Sequence, residues 1–353
     1  MSSPCSTLET PPNPELITLA QAHLRDVLTI AFEHIDGEQQ AVVVFDTRCE
    51  LAATLTEAYR LALPNANFID FDASTPEQVL AAFAPLAAKD LVVLVQSTNF
   101  RLEAFRIRVE LFKRGLKVIE HPHLGRMQGA EVPIYVDSLA YDPCYYRGVG
   151  HALKAKIDSA SRGLVDSGAG NVLHFAAPFE SAKLNIGDYS QMNNVGGQFP
   201  LGEVFTETQD FAAVNGRIRV FVFGDTRYRV NRPSLPITLV IAQSQIIDVI
   251  DSTPEFDEML AMIRADEGGV VWVRELGLGM NRAFSFARTV SDIGTYERMC
   301  GIHLSLGMKH GIYAKPNIKR GEGKYHIDVF AITESVQFDD EVVYRNGAWV
   351  VSP

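Results

Sequence analysis

"DLVVLVQS", residues 90–97, decides the architecture of the first half of the chain. Its five consecutive apolar residues, 91–95, leave no polar face, so a strand formed here is covered on both sides. Three more short runs have the same β-branched or apolar character: "QAVVVFD" (40–46), "NFIDFD" (67–72) and "LKVIEHP" (116–122). Between them lie helical patterns. "ELITLAQAHLRDVLTIAF" (15–32) and "CELAATLTEAYRLAL" (49–63) are amphipathic, "TPEQVLAAFAPLA" (75–87) opens on a Thr-Pro start, and "FRLEAFRIRVELFKRG" (100–115) ends at Gly115. Strand and helix alternate at short spacing, which predicts an open α/β sheet with helices on both faces over residues 15–140. Residues 1–14 are rich in Pro, Ser and Thr and are expected to be disordered. No GxGxxG follows the first strand, so a dinucleotide site is not supported.

The texture changes after "YDPCYY" (141–146). One helical stretch, "GHALKAKIDSASRGLVD" (150–166), leads into strand-rich sequence that includes "NVLHFAAP", "RIRVFVFGD", "LPITLVIAQSQIIDVI", "GVVWVRELGLG", "GIHLSLG", "KYHIDVF" and "AWVVS". Residues 141–353 are therefore expected to form a second, β-rich domain of the α+β type, following the N-terminal α/β domain.

Composition narrows the function classes. At 353 residues the chain is long enough for two domains. A net charge of −11 without a Lys/Arg run argues against a nucleic-acid or anionic-membrane surface. Cys5, Cys49, Cys144 and Cys300 are widely spaced with no CxxC pair, which speaks against a disulfide framework or a Cys-rich zinc site. The first residues lack a basic stretch followed by an apolar core, and no apolar run nears the roughly 20 residues that span a bilayer. A soluble, cytoplasmic protein is expected.

Charged and imidazole side chains stand where apolar sequence surrounds them. "GGQFPLGEVFTE" (196–207) carries Glu203, "VVWVRELGLGMN" (270–281) carries Glu275, and "CGIHLSLGMKH" (300–310) carries His303. In "GKYHIDVF" (323–330), alternation puts His326 and Asp328 on one face of a strand. An unpaired carboxylate or imidazole in such surroundings costs several kcal/mol, so each demands a partner. A metal ion is one such partner, and a mixed oxygen and nitrogen ligand set suits zinc, manganese, cobalt or iron(II). Plainer readings stand beside this one. Glu275 next to Arg274 can be a surface ion pair, Glu203 can cap a turn, His303 can be a hydrogen-bonded core residue, and an HxD pair recurs by chance.

In order and context, "FPLGEVFTE", "RELGLGMN", "IHLSLG" and "YHIDVF" resemble the successive metal-site motifs of the thermophilic metallo-aminopeptidase family, the aminopeptidase S / aminopeptidase T group. The resemblance covers mainly residues 196–330. It implies two divalent ions (Zn, Co or Mn) held by Glu203, Glu275, His303, His326 and Asp328, with Glu275 as the bridging carboxylate. It further implies hydrolysis of an amide bond beside a free amine in a small-molecule or short-peptide substrate, and a homodimer. Glu203 and His310 are the expected catalytic side chains. His310 stands where the family has a Tyr, seven residues after the His303 position, and Tyr313 lies one short turn further on. Glu297 falls near another acidic position of the family, and equally reads as a helix-end charge beside Arg298. Arg274, Arg282, Lys309 and Lys315 lie near the motifs as candidate anchors for a substrate carboxylate.

A second resemblance is to the mononuclear iron(II) enzyme type of 2,5-dihydroxypyridine dioxygenase, a ring-cleaving activity. It shares the HxD pair, and "VIEHPHLGRM" (118–127) is similar to its corresponding stretch. It has His where this chain has Glu275, so a two-His, one-carboxylate set for one Fe(II) would recruit His303. His121 and His123 would then be candidates for substrate binding or acid–base work, or plain polar residues at a strand end.

Overall fold

The computed structural model describes residues 11–102, 106–315, 318 and 322–352. Most of residues 1–14, expected to be disordered, lie outside these. Of the remainder, Asn13 caps the first helix, Pro14–Asp26, by accepting the Glu15 amide on its side chain. The chain divides into two compact units. The first comprises residues 1–143 and 187–201, and the second 144–186 and 202–353. Residues 187–201 thus return to the first unit, a crossing that the sequence reading, with one boundary near 140, does not contain.

The first unit is built on a five-stranded parallel sheet in the order Asn67–Asp70, Ala41–Phe45, Leu91–Val95, Lys117–His121, Gly196–Gln198. The three inner strands are almost wholly buried, as their unbroken apolar runs require. On one face Val42, Val44, Val92, Leu94 and Val118 pack against Val79 and Phe83 of the helix Pro76–Phe83 and Leu111 of the helix Ile107–Lys113. The helix Glu50–Ala62 packs on the Ala41–Phe45 and Leu91–Val95 strands. Thr75 and Gln78 close a reciprocal capping box at the Thr-Pro start, as that dipeptide predicts. Of the helix expected over 100–115, residues 103–105 lie outside the described ones. The helix expected over 15–32 changes pitch at Val27–Ala31, where the Phe32 amide reaches back five residues to the Val27 carbonyl at 3.1 Å.

The second unit carries a 14-stranded antiparallel sheet. Its helix Gly150–Ser159 is shorter than the 150–166 pattern, because residues 163–166 form a strand instead, paired with Val172–Phe175 and Ser335–Phe338. Four neighbouring strands matter for function: Glu203–Glu207, Val273–Gly279, Gly301–Leu306 and Ile327–Ala331, side by side in that order. Each alternates. Leu276, Leu278, Ile302, Leu304, Leu306 and Val329 form one face, all buried in the core. The opposite face carries the charged residues. No helix among the described residues is long and apolar enough to cross a membrane.

Candidate metal centre

Strand register assembles the site. Glu203 lies opposite Gly279, and Phe205 opposite Gly277, which in turn lies opposite His303. Ser305 is opposite Asp328. Directly opposed residues of an antiparallel pair share a face, so Glu203, Glu275, His303 and Asp328 all project to one side of the four strands. All four are buried. Gly277 leaves the room that the His303 ring uses: a Cβ there would meet its Nε2 at 2.0 Å.

The sequence candidates gather in two adjoining sets. Glu203, Glu275 and His303 each offer a ligand atom, and these atoms lie within 4.8 Å of one another. His303 Nε2 is 3.4 Å from Glu203 Oε1 and 3.5 Å from Glu275 Oε1. In the second set His326 Nε2 is 3.3 Å from Asp328 Oδ1. His326 stands one residue before its strand and is partly exposed, whereas the sequence reading placed it inside. Its Nδ1 donates to the Lys309 carbonyl at 3.1 Å, which turns Nε2 toward Asp328.

These contacts fit a divalent ion. His303 Nε2 and Asp328 Oδ1 are buried and have no hydrogen-bond partner among the described residues. Two ligand atoms each about 2.1 Å from a shared tetrahedral ion stand about 3.4 Å apart, the spacing found in both sets. Electrostatics agree. Burial would lower the His303 imidazole, but the Glu203 and Glu275 carboxylates outweigh it and lift it to about 10. His326 is opposed by burial in the same way and raised to about 10, chiefly by Asp328. Burial would raise Glu275, yet His303 and His310 hold it well below the usual carboxylate range. In the absence of an ion, two imidazolium protons neutralise a site made of carboxylates; a divalent cation supplies the same charge.

His310 belongs to the site through Glu275. Its Nδ1 accepts from the amides of Ile312 (3.2 Å) and Tyr313 (3.3 Å), so its proton resides on Nε2 and is donated to Glu275 Oε2 at 2.8 Å. Tyr313, the neighbouring candidate, spends its hydroxyl on the Ser181 carbonyl at 2.8 Å. Glu297 pairs with Arg298, whose guanidinium also lies 3.2 Å from Glu203 Oε2. Burial pushes the Glu297 carboxyl well up, with Asp328 and Glu203 adding to it and Arg298 opposing.

Several candidates have other tasks. Arg274 makes no surface pair with Glu275; it is buried and bonds Glu207 through two nitrogens, at 2.5 and 3.0 Å. Lys315 is buried between Glu180 Oε1 (2.7 Å) and the Thr208 carbonyl (2.5 Å). His121 ends its strand in the first unit, fully buried, with one ring nitrogen on the Tyr59 hydroxyl (2.8 Å) and the other on that of Tyr135 (2.7 Å). Burial lowers it to about 3, so it is a neutral core residue rather than an acid–base group. His123 sits next to it at a φ of 55°. Sequence reasoning missed Glu267, whose carboxylate accepts the amides of Met308, Lys324 and Tyr325 at 2.7–2.8 Å and so pins the segments that carry His310 and His326. Nothing local marks it.

No protein-family model matches the chain, and no curated protein matches it in sequence. Solved structures do match in fold. The 2,5-dihydroxypyridine dioxygenase of Pseudomonas putida is similar at 15% identity and a TM-score of 0.61, over 95% of this chain and 96% of that one. The aminopeptidase AmpT of Thermus thermophilus is similar at 13% identity and a TM-score of 0.58, over 95% and 99%. The likeness is one of fold. The buried Glu203, Glu275 and His303 form a possible metal site here.

Proposed function

We propose that this chain is a metal-dependent hydrolase that cleaves an amide bond beside a free amine in a short peptide or similar small molecule. Glu203, Glu275 and His303 would hold one divalent ion, and His326 and Asp328 a second, with Glu275 shared. Ions bound there would make water acidic enough to attack and would polarise the amide carbonyl. The observation that carries this reading is Glu275 itself. Its two oxygens face different imidazoles, Oε1 toward His303 and Oε2 toward His310, while its carboxyl is held ionised in a buried position. His310 keeps that carboxylate in orientation through its Nε2–H. Glu203 turns Oε2 to Arg298 and Oε1 to the centre, so Oε1 is the oxygen that would ligate the ion.

One observation favours a second reading, a mononuclear iron(II) ring-cleaving dioxygenase. Arg298 takes the outer oxygen of Glu203 and the Glu297 carboxylate, and only one three-ligand group is gathered among the described residues. Elemental mass spectrometry of untagged protein purified anaerobically, with Glu275→Ala in parallel, separates the two. Two zinc, cobalt or manganese ions per chain, with at least one lost in the variant, are expected. One iron per chain with no second ion would replace the hydrolase with the dioxygenase.

A further inference from the structure

Beside the centre, within the second unit, lies a cavity of about 360 Å³ lined by Arg274, Met308, Lys309, His310, Ile312 and Tyr313, among others. That is near the lower limit of ligand pockets and suits a small molecule rather than an extended chain. Its wall is shared with the metal centre. The His310 ring donates to Glu275, and the neighbouring Lys309 carbonyl accepts from His326 Nδ1. The Lys309 amide is itself fixed, donating to the Tyr325 carbonyl at 2.9 Å. The Lys309 main chain is therefore held on both sides.

Three cationic residues line the cavity, and two of them are spent. Arg274 donates to Glu207 and to the carbonyls of Met308 (2.5 Å) and Tyr313 (3.0 Å). Lys315 is saturated by Glu180 and Thr208. Arg282, the remaining candidate, lines a different cavity and lies 4.0 Å over the Tyr145 ring. Lys309 differs. Its side chain is exposed, and its ammonium has no hydrogen bond or ion pair among the described residues. Around it Met308, Ile312 and Tyr313 supply apolar surface.

Resting on the hydrolase reading, we infer that Lys309 anchors the free carboxylate of the substrate, which makes this a site for dipeptides and similar aminoacyl amino acids with an apolar second residue. The substrate's free amine faces the ion-loaded centre, the amide spans the Lys309–His310 wall, and the terminal carboxylate meets the only uncommitted cation lining the cavity among the described residues. A longer peptide carries its carboxylate beyond the second residue and gains nothing from Lys309.

The test uses full-length, metal-loaded protein and two probe pairs: L-leucyl-L-leucine with its C-terminal amide, and the same pair with the amide bond reduced to a methyleneamine. Hydrolysis is followed on the first pair and binding, by calorimetry, on the second. The acid is expected to be preferred about tenfold in kcat/KM and in affinity, in line with a hydrogen bond to a charged group. Lys309→Met should abolish that preference and Lys309→Arg should keep it. Equal binding of acid and amide by the wild type, or a preference that survives Lys309→Met, overturns the anchor. If neither first-pair compound is cleaved but the reduced pair is still discriminated through Lys309, the hydrolase reading fails and the anchor stands. Cleavage without discrimination sustains the hydrolase and removes the anchor.

Discussion

A methyl group added at Gly277 would stand 2.0 Å from His303 Nε2, too close to coexist with the ring as placed. Gly277→Ala is therefore expected to displace the imidazole and lower metal affinity by about 10–100-fold, the range seen when support around a ligand is lost. Calorimetric metal titration reads this directly, and an unchanged affinity would mean that His303 is not a ligand. Part of this site was legible in sequence. Glu203, Glu275, His303 and Asp328 are polar residues in apolar runs, and burial without a partner is costly, so partners had to exist. The identity of the partners was not legible. Arg274 stands beside Glu275 in the chain but bonds Glu207, which strand pairing brings into register opposite Glu275. Glu267 reaches three amides from two later segments, with no local pattern to mark it.

The strands themselves follow their alternation, and so the four motif stretches were recognisable as elements. The helix expected over 150–166 shows where local pattern yields. Residues 163–166 prefer two sheet partners, one of them as far as 175 residues away where Phe338 meets Gly163, over another turn of helix. The segment from Met308 to Tyr313 has no regular structure and is held instead by buried polar contacts. Arg274 bridges the Val273–Gly279 strand to the carbonyls of Met308 and Tyr313 while neutralising Glu207, with both charged side chains buried. Arg274→Met would leave the Glu207 carboxylate with only the 3.7 Å contact to Lys315 Nζ, and a loss of about 3–5 kcal/mol is expected. Urea unfolding should show a lower midpoint at constant slope. Removing both charges, Arg274→Met with Glu207→Leu, should recover most of the loss. Activity should not follow, because the segment bearing Lys309 and His310 loses its tie.

At the scale of the molecule, the two-unit plan follows the change from alternating helix and strand to β-rich sequence, but the return of residues 187–201 left no such signal. The strand Gly196–Gln198 is three residues long and glycine-rich, without the apolar run that marks the other four strands of its sheet. It is selected by close approach: at Gly196, φ is 106° and a Cβ would lie 1.9 Å from the Val118 carbonyl oxygen. Gly196→Ala in the full chain is expected to cost about 2–3 kcal/mol. Hydrogen exchange should show lost amide protection along Gly196–Gln198 and its partner Lys117–His121, and undiminished protection there would dismiss the pairing. The same strand has a consequence during synthesis. A chain leaving the ribosome completes Lys117–His121 well before Gly196–Gln198 exists, and produces the three strands of 163–185 in between. At about 5–20 residues per second the wait is on the order of 4–15 s. Throughout it the nascent first unit presents an unpaired strand edge, an opening for a chaperone or a neighbouring nascent chain that closes only when translation passes residue 198.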